Sequence, residues 1–221
     1  MAKYSEEGRT CMSKESEVCN PEEIRVKNII QMGLNFSSMI RLFEKDSKKN
    51  LWNKIVSDVA PKIFKAQSRE EFDQIYREFC DWGTEHIVLA QKKKRNGSIK
   101  KKKPASYGQI AKTFNVTLKV AIYYCHLPDY QKSENILKWL HAGVDTRMMA
   151  MLKKKLEKKH PEYFQDWPKT VEAVDNEKKY LDLQKVVGIF IEEKQDKNLR
   201  LPVQFDDVYW YKIKQKLERD C

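Results

Sequence analysis

At 221 residues, with 41% hydrophobic and 11% aromatic side chains, the chain is long enough to bury a core. Full disorder is excluded despite 34% charged residues and a mean hydropathy of −0.74. Seven Gly and seven Pro are too few for a turn-rich β-sandwich or a collagen-like repeat. Forty-three Lys and Arg against 32 Asp and Glu leave a net charge of +11, which favours polyanionic partners, nucleic acid foremost; a lysine-rich surface that only keeps the chain soluble is the alternative.

Residues 1–19 are polar and are expected to form a disordered tail. Asn20-Pro21-Glu22-Glu23 then has the order of an N-cap, a first-turn proline and two acidic residues on the helix dipole. The helix behind it carries Ile24, Val26, Ile29 and Ile30 and is expected to falter near Gly33. A second piece holds Met39, Ile40 and Phe43. Ser47 is a candidate cap for a helix with Leu51, Trp52, Ile55, Val56 and Val59 at helical spacing, ended or kinked by Pro61. Ser68-Arg69-Glu70-Glu71 has the form of a capping box. It opens a stripe of Phe72, Ile75, Tyr76 and Phe79, with Gly83 placed as the residue past the helix end. This N-terminal helical part spans 20–91.

Residues 92–103 form the next unit, expected to be a basic loop. Lys92, Lys93, Lys94 and Arg95, then Lys100, Lys101, Lys102 and Lys103, flank Asn96-Gly97-Ser98. Nothing apolar alternates there as a hairpin would require, and the charge suits phosphate contacts that carry no sequence information. A targeting signal would share this composition.

From 104 to 221 the helical pattern resumes. Tyr107, Ile110, Ala111, Phe114, Leu118, Ala121, Ile122 and Cys125 recur at steps of three and four, and Leu127-Pro128 ends the stripe. Ser133 is a candidate cap for Ile136, Leu137 and Leu140. Asp145 is placed as N-cap of a helix over 146–159 whose basic end suits the dipole. Further helices are expected over 180–194 and 206–218. No run of alternating strands appears, so the expected fold is all-α, with about eight helices. The longest apolar run, 186–191, is too short to span a bilayer, and the N-terminus has no apolar signal core. A soluble intracellular monomer without a membrane partner is the expectation.

Five cysteines, an odd number without Cys-x-x-Cys, fit free thiols in a reducing compartment. The four histidines make no metal-binding spacing with them, so neither a metal nor another cofactor is expected. Two readings fit the stripe from Tyr107. One is a helix-turn-helix over 107–124 with Asn115 at the turn, which would make the chain a non-enzymatic nucleic-acid binder. The other, which the unbroken stripe favours, is a single helix. On that helix Gly108, Lys112, Asn115 and Lys119 share one edge of the buried face. A solvated lysine pair explains this row. So does a partly desolvated lysine, whose lowered pKa yields a neutral amine able to attack an electrophilic carbon.

Lys112-Thr113, with Thr117-Leu118-Lys119 after it, resembles the active-site helix of the archaeal 8-oxoguanine DNA glycosylases, an all-helical branch of the helix-hairpin-helix DNA glycosylase superfamily. Val144-Asp145-Thr146-Arg147 resembles the superfamily's catalytic-aspartate segment. Pro202-Val203-Gln204-Phe205-Asp206, with Trp210, is similar to the branch's C-terminal base pocket. The pieces fall in the family's order between Pro104 and the end of the chain. The Leu-Pro-Gly-x-Gly hairpin is missing, and Glu22 stands after Pro21 where a base-reading glutamine would be expected. The resemblance implies a glycosylase with abasic-site lyase activity on a damaged base, such as an oxidised purine, extruded from double-stranded DNA. Lys112 would be its nucleophile and Asp145 the stabiliser of charge on the sugar, with Lys119, Asp206, Trp210 and Glu22 around the base.

Overall fold

The computed structural model describes residues 20–91, 102–194 and 199–219. The described chain is all-α, with two isolated β-bridges. Helix α1, Pro21–Phe36, starts where Asn20 Oδ1 accepts from the Glu22 amide at 3.0 Å. It does not falter at Gly33. A Cβ there would lie 2.8 Å from Thr117 Cα, so glycine is what lets two backbones cross in contact. A 3₁₀ turn, Ser38–Leu42, follows.

Helix α2, Lys45–Lys54, runs through a π turn, Ile55–Val59, into α3, Ala60–Ile63. Glu44 is its N-cap residue. Ser47 lies inside α2, and its hydroxyl accepts from the Val88 amide at 2.9 Å. The π turn places Pro61 in helical continuity and spares the ring a clash with the preceding turn. Helix α4, Arg69–His86, is capped by Ser68, whose Oγ accepts from Glu71 N at 3.2 Å. Glu71 reaches back to the Gln67 amide at 2.7 Å, one residue earlier than a capping box requires. Gly83 is not the stop: the helix continues to His86, and Ile110 fills the space that a Cβ at Gly83 would occupy.

Helix α5, Tyr107–Leu118, occupies the centre, packed against α1, α4 and the turn Ser38–Leu42. Ser106 and Gln109 cap it reciprocally. It passes without interruption into a π turn, Lys119–Tyr124, so residues 107–124 contain no helix-turn-helix bend and Asn115 is buried in mid-helix. The continuous stripe wins because Ile110, Phe114, Leu118, Ala121 and Ile122 are all buried in one core.

Helix α6, Tyr130–Leu137, is capped by Asp129 and not by Ser133, whose hydroxyl donates to Tyr130 O inside the helix. Helix α7, Thr146–Leu156, stops three residues short of the expected 159; α8, Glu177–Lys194, and α9, Phe205–Arg219, complete the fold. Counting α2 and α3 as one rod, the described residues hold eight helical rods, in line with the pattern in the sequence. None of them is long and apolar enough to cross a membrane.

Candidate active site

The row on α5 divides. Lys119 is buried, and its Nζ lies 2.6 Å from Asp206 Oδ1 and 2.6 Å from Asp207 Oδ1. Tyr124 also donates to Asp207, at 2.6 Å. This pairing ties the first turn of α9 to the π turn after α5. Burial pushes the Asp206 carboxyl upward against the opposing pull of Lys119.

Lys112, seven residues earlier, forms no ion pair and no side-chain hydrogen bond among the described residues. Its ammonium is half-buried, and burial lowers its pKa against the pull of Asp145 and Asp206. It lines an open cleft of about 300 Å³ with Gln109, Asp145, Thr146, Arg147 and Glu172, the Met39 and Leu42 side chains forming the apolar wall. The amine and the Asp145 carboxylate therefore border one space without touching. Asp145 is held by its own helix: Oδ1 accepts from the Met148 amide at 2.9 Å. Below Lys112 lies a second, water-sized pocket of about 10 Å³, bordered by Gly108, Asn115, Ala142, Val144 and Tyr180. Gly108 is needed at its edge, since a Cβ would stand 2.5 Å from Val171 O.

No family model, curated protein or solved structure matches this chain. The site therefore stands on its geometry. Asp145 shares the cleft with Lys112, whereas the Asp206 carboxylate is held by Lys119. Trp210 lies on α9 one turn past Asp206, but its side chain is outside the described residues. Glu22 is not brought to the cleft. It is exposed in the first turn of α1 and pairs with Arg25, which reaches Cys125 O at the opposite end of the α5 rod from Lys112. Antiparallel packing of α1 on α5 causes this, with Gly33 meeting Thr117 and Arg25 meeting Cys125.

Of the basic stretch, Lys92, Lys93, Lys94, Arg95, Lys100 and Lys101 lie outside the described residues. Lys102 pairs with Glu44 at 3.0 Å and Lys103 approaches Glu172 at 4.0 Å, both at the surface. The ends of the stretch are anchored beside the cleft. The Ala90 amide donates to Leu42 O at 2.7 Å and the Leu89 amide to Lys103 O at 2.8 Å. Arg147 was legible only as part of the Val-Asp-Thr-Arg segment; it is exposed in the cleft and unpaired among the described residues. No three His, Cys, Asp or Glu side chains among the described residues converge there as a metal site would need.

Proposed function

We propose that the chain is a DNA base-excision glycosylase with abasic-site lyase activity, acting on a damaged base such as an oxidised purine extruded from a duplex. One observation carries this reading: an unpaired, half-buried lysine shares a cleft with a helix-capping carboxylate in a strongly cationic protein. The resemblance of three sequence segments to the archaeal 8-oxoguanine glycosylases supports the same assignment. The cleft volume lies at the lower end of the range for small-ligand pockets, about 300–1,000 Å³, and suits one nucleoside better than a duplex.

Departure of a base builds positive charge at the deoxyribose C1′. The Asp145 carboxylate stabilises that charge, and preorganised electrostatics of this kind are worth about 3 kcal/mol per interaction. Neutral Lys112 donates its lone pair to C1′; the bond from C1′ to the base breaks, and its electron pair leaves on the base, which takes a proton from water. Ring opening breaks C1′–O4′, passes one amine proton to O4′ and leaves a protonated imine. The hydroxide left when the base took its proton removes a C2′ proton. The C2′–H pair forms the C2′–C3′ double bond, the C3′–O bond breaks and the 3′ phosphate leaves with that bond's pair. Water then hydrolyses the imine to free the Lys112 amine and an unsaturated aldehyde. Extrusion of the base costs a few kcal/mol, which phosphate contacts by cationic side chains offset.

The test is borohydride reduction of the imine on a duplex holding an abasic site. The parent protein and Lys119→Gln form a covalent adduct, and Lys112→Gln forms none. An adduct of parental yield with Lys112→Gln sinks the assignment.

A further inference from the structure

Beneath the cleft runs a buried hydrogen-bond chain that the glycosylase reaction does not use. Arg69 Nη2 lies 3.0 Å from His141 Nε2. A guanidinium can only donate, so Nε2 accepts and the ring proton sits on Nδ1. Burial, with Arg69 beside it, lowers His141 to about 3, which keeps the ring neutral. Its Nδ1–H donates to Tyr180 OH at 2.8 Å, Tyr180 donates to Tyr76 OH at 2.7 Å, and Tyr76 donates to Asn115 Oδ1 at 2.6 Å. With its oxygen engaged, Asn115 turns its amide nitrogen to Ala142 O at 2.9 Å and to Tyr180 OH at 3.0 Å. Arg69 thus fixes the direction of each bond, and the Asn115 amide has one allowed orientation.

Gln184 grips the same residue from α8. The Ala142 amide donates to Gln184 Oε1 at 3.0 Å, and Gln184 Nε2 donates to Ala142 O at 3.1 Å. Ala142 stands three residues before Asp145, and Val144 between them is buried. Asn115 stands three residues after Lys112 and borders the same small pocket. We infer that Asn115 on α5 and Gln184 on α8 are positioning residues whose three hydrogen bonds to Ala142 hold the segment 142–145 between these two helices and so set the separation of the Asp145 carboxylate from the Lys112 amine. As roles in base excision they rest on the proposed glycosylase function; the separation they set does not.

The charged groups facing Lys112 are Asp145 and Arg147 at the start of α7, Asp206 on α9 and Glu172 from the turn Val171–Ala173; Met39 and Leu42 are apolar. Asp145 supports the protonated amine, so a loosened 142–145 segment withdraws support and lets Lys112 titrate at lower pH. The experiment is an NMR titration of the full chain without DNA, its lysines ¹³C-methylated and Lys112 assigned through Lys112→Arg. The double variant Asn115→Leu with Gln184→Met keeps side-chain bulk and removes all three bonds. Its Lys112 midpoint is expected to move to lower pH, and borohydride capture of an abasic duplex to slow about tenfold. Tyr76→Phe leaves the Ala142 bonds in place, because Tyr180 stands 3.4 Å from the same Asn115 oxygen and replaces the lost donor. It lowers the melting temperature and leaves the midpoint unmoved. An unmoved midpoint in the folded double variant overturns the inference. If that variant does not fold, Gln184→Met alone, at a half-buried position, must shift the midpoint the same way or the inference fails. A shifted midpoint together with no abasic-site capture by the parent overturns the glycosylase assignment and leaves the positioning one standing.

Discussion

Lys112 and Lys119 leave the same helix edge and end in opposite electrostatic settings. Lys119 loses its water and gains two carboxylates at 2.6 Å. Lys112 loses much of its water and gains no direct partner among the described residues, so burial disfavours its charged form in the fold. Its folded pKa lies below the unfolded one, and the unfolded chain binds more protons between the two. Stability therefore rises with pH across that interval. Replacing Lys112 by Met is expected to raise unfolding stability by about 1 kcal/mol near neutral pH while abolishing adduct formation. Lys119→Met has the reverse sign: it strands two carboxylates and costs about 3 kcal/mol. Urea unfolding of the two variants beside the parent checks both signs. His141 adds a pH dependence of its own. Its folded pKa, about 3, lies below the ordinary 6.5, so its contribution is complete above 6.5 and is lost as pH falls toward 3. Comparing urea midpoints at pH 7 and pH 5, above most carboxylate titrations, should show a fall in the parent that His141→Gln reduces.

At the scale of elements, glycine decides how closely helices approach, and the sequence alone leaves its role open. Gly33 and Gly83 have the local look of a helix break and a helix stop. Each is instead a contact point, against Thr117 and Ile110, residues far along the chain. Gly188, in the middle of α8, has nothing within 4 Å of its missing Cβ. Gly188→Ala should therefore stabilise by about 0.5–1 kcal/mol through helix propensity. Gly33→Ala should cost about 1–3 kcal/mol, because a backbone and not a flexible side-chain end must move. Thermal melts of the two variants separate these outcomes, and equal shifts of one sign would contradict a glycine-dependent crossing of α1 and α5. The same distinction explains which caps were legible. Asn20, Ser68 and Asp145 act within three residues and appear in the sequence as caps. Ser47 and Ser133 have the same residue type, yet Glu44 and Asp129 precede them and start their helices first. Neither π turn was legible, since each arises where apolar residues on both flanks are already committed to the core. The pairing of Lys112 with Asp145 was suggested by the resemblance of their two segments and not by residue spacing. The commitment of Lys119 to Asp206 and Asp207 was not, because nothing local in a helix reports a carboxylate 87 residues away.

For the whole molecule the deciding quantity is where the charge excess sits relative to the cleft. Eight of the 43 Lys and Arg fall in residues 92–95 and 100–103, a stretch with no acidic residue in a chain of net charge +11. Both ends of that stretch are fastened beside cleft-lining residues, through Ala90 to Leu42 and through Lys103 toward Glu172. Lys102 and Lys103 meet carboxylates only in exposed surface pairs, which are worth little and leave them open to solvent. Changing Lys92, Lys93, Lys94 and Arg95 together to Gln removes four positive charges and touches no described core residue. If these side chains meet DNA, the slope of log K against log salt falls in magnitude by about 0.9 for each phosphate that is no longer neutralised. Affinity drops uniformly across duplex sequences, because phosphate contacts carry no base information. The Lys112 titration in the absence of DNA stays where it is. A salt slope identical to the parent's would place the polyanion contact on other cationic side chains and overturn the phosphate role of this stretch.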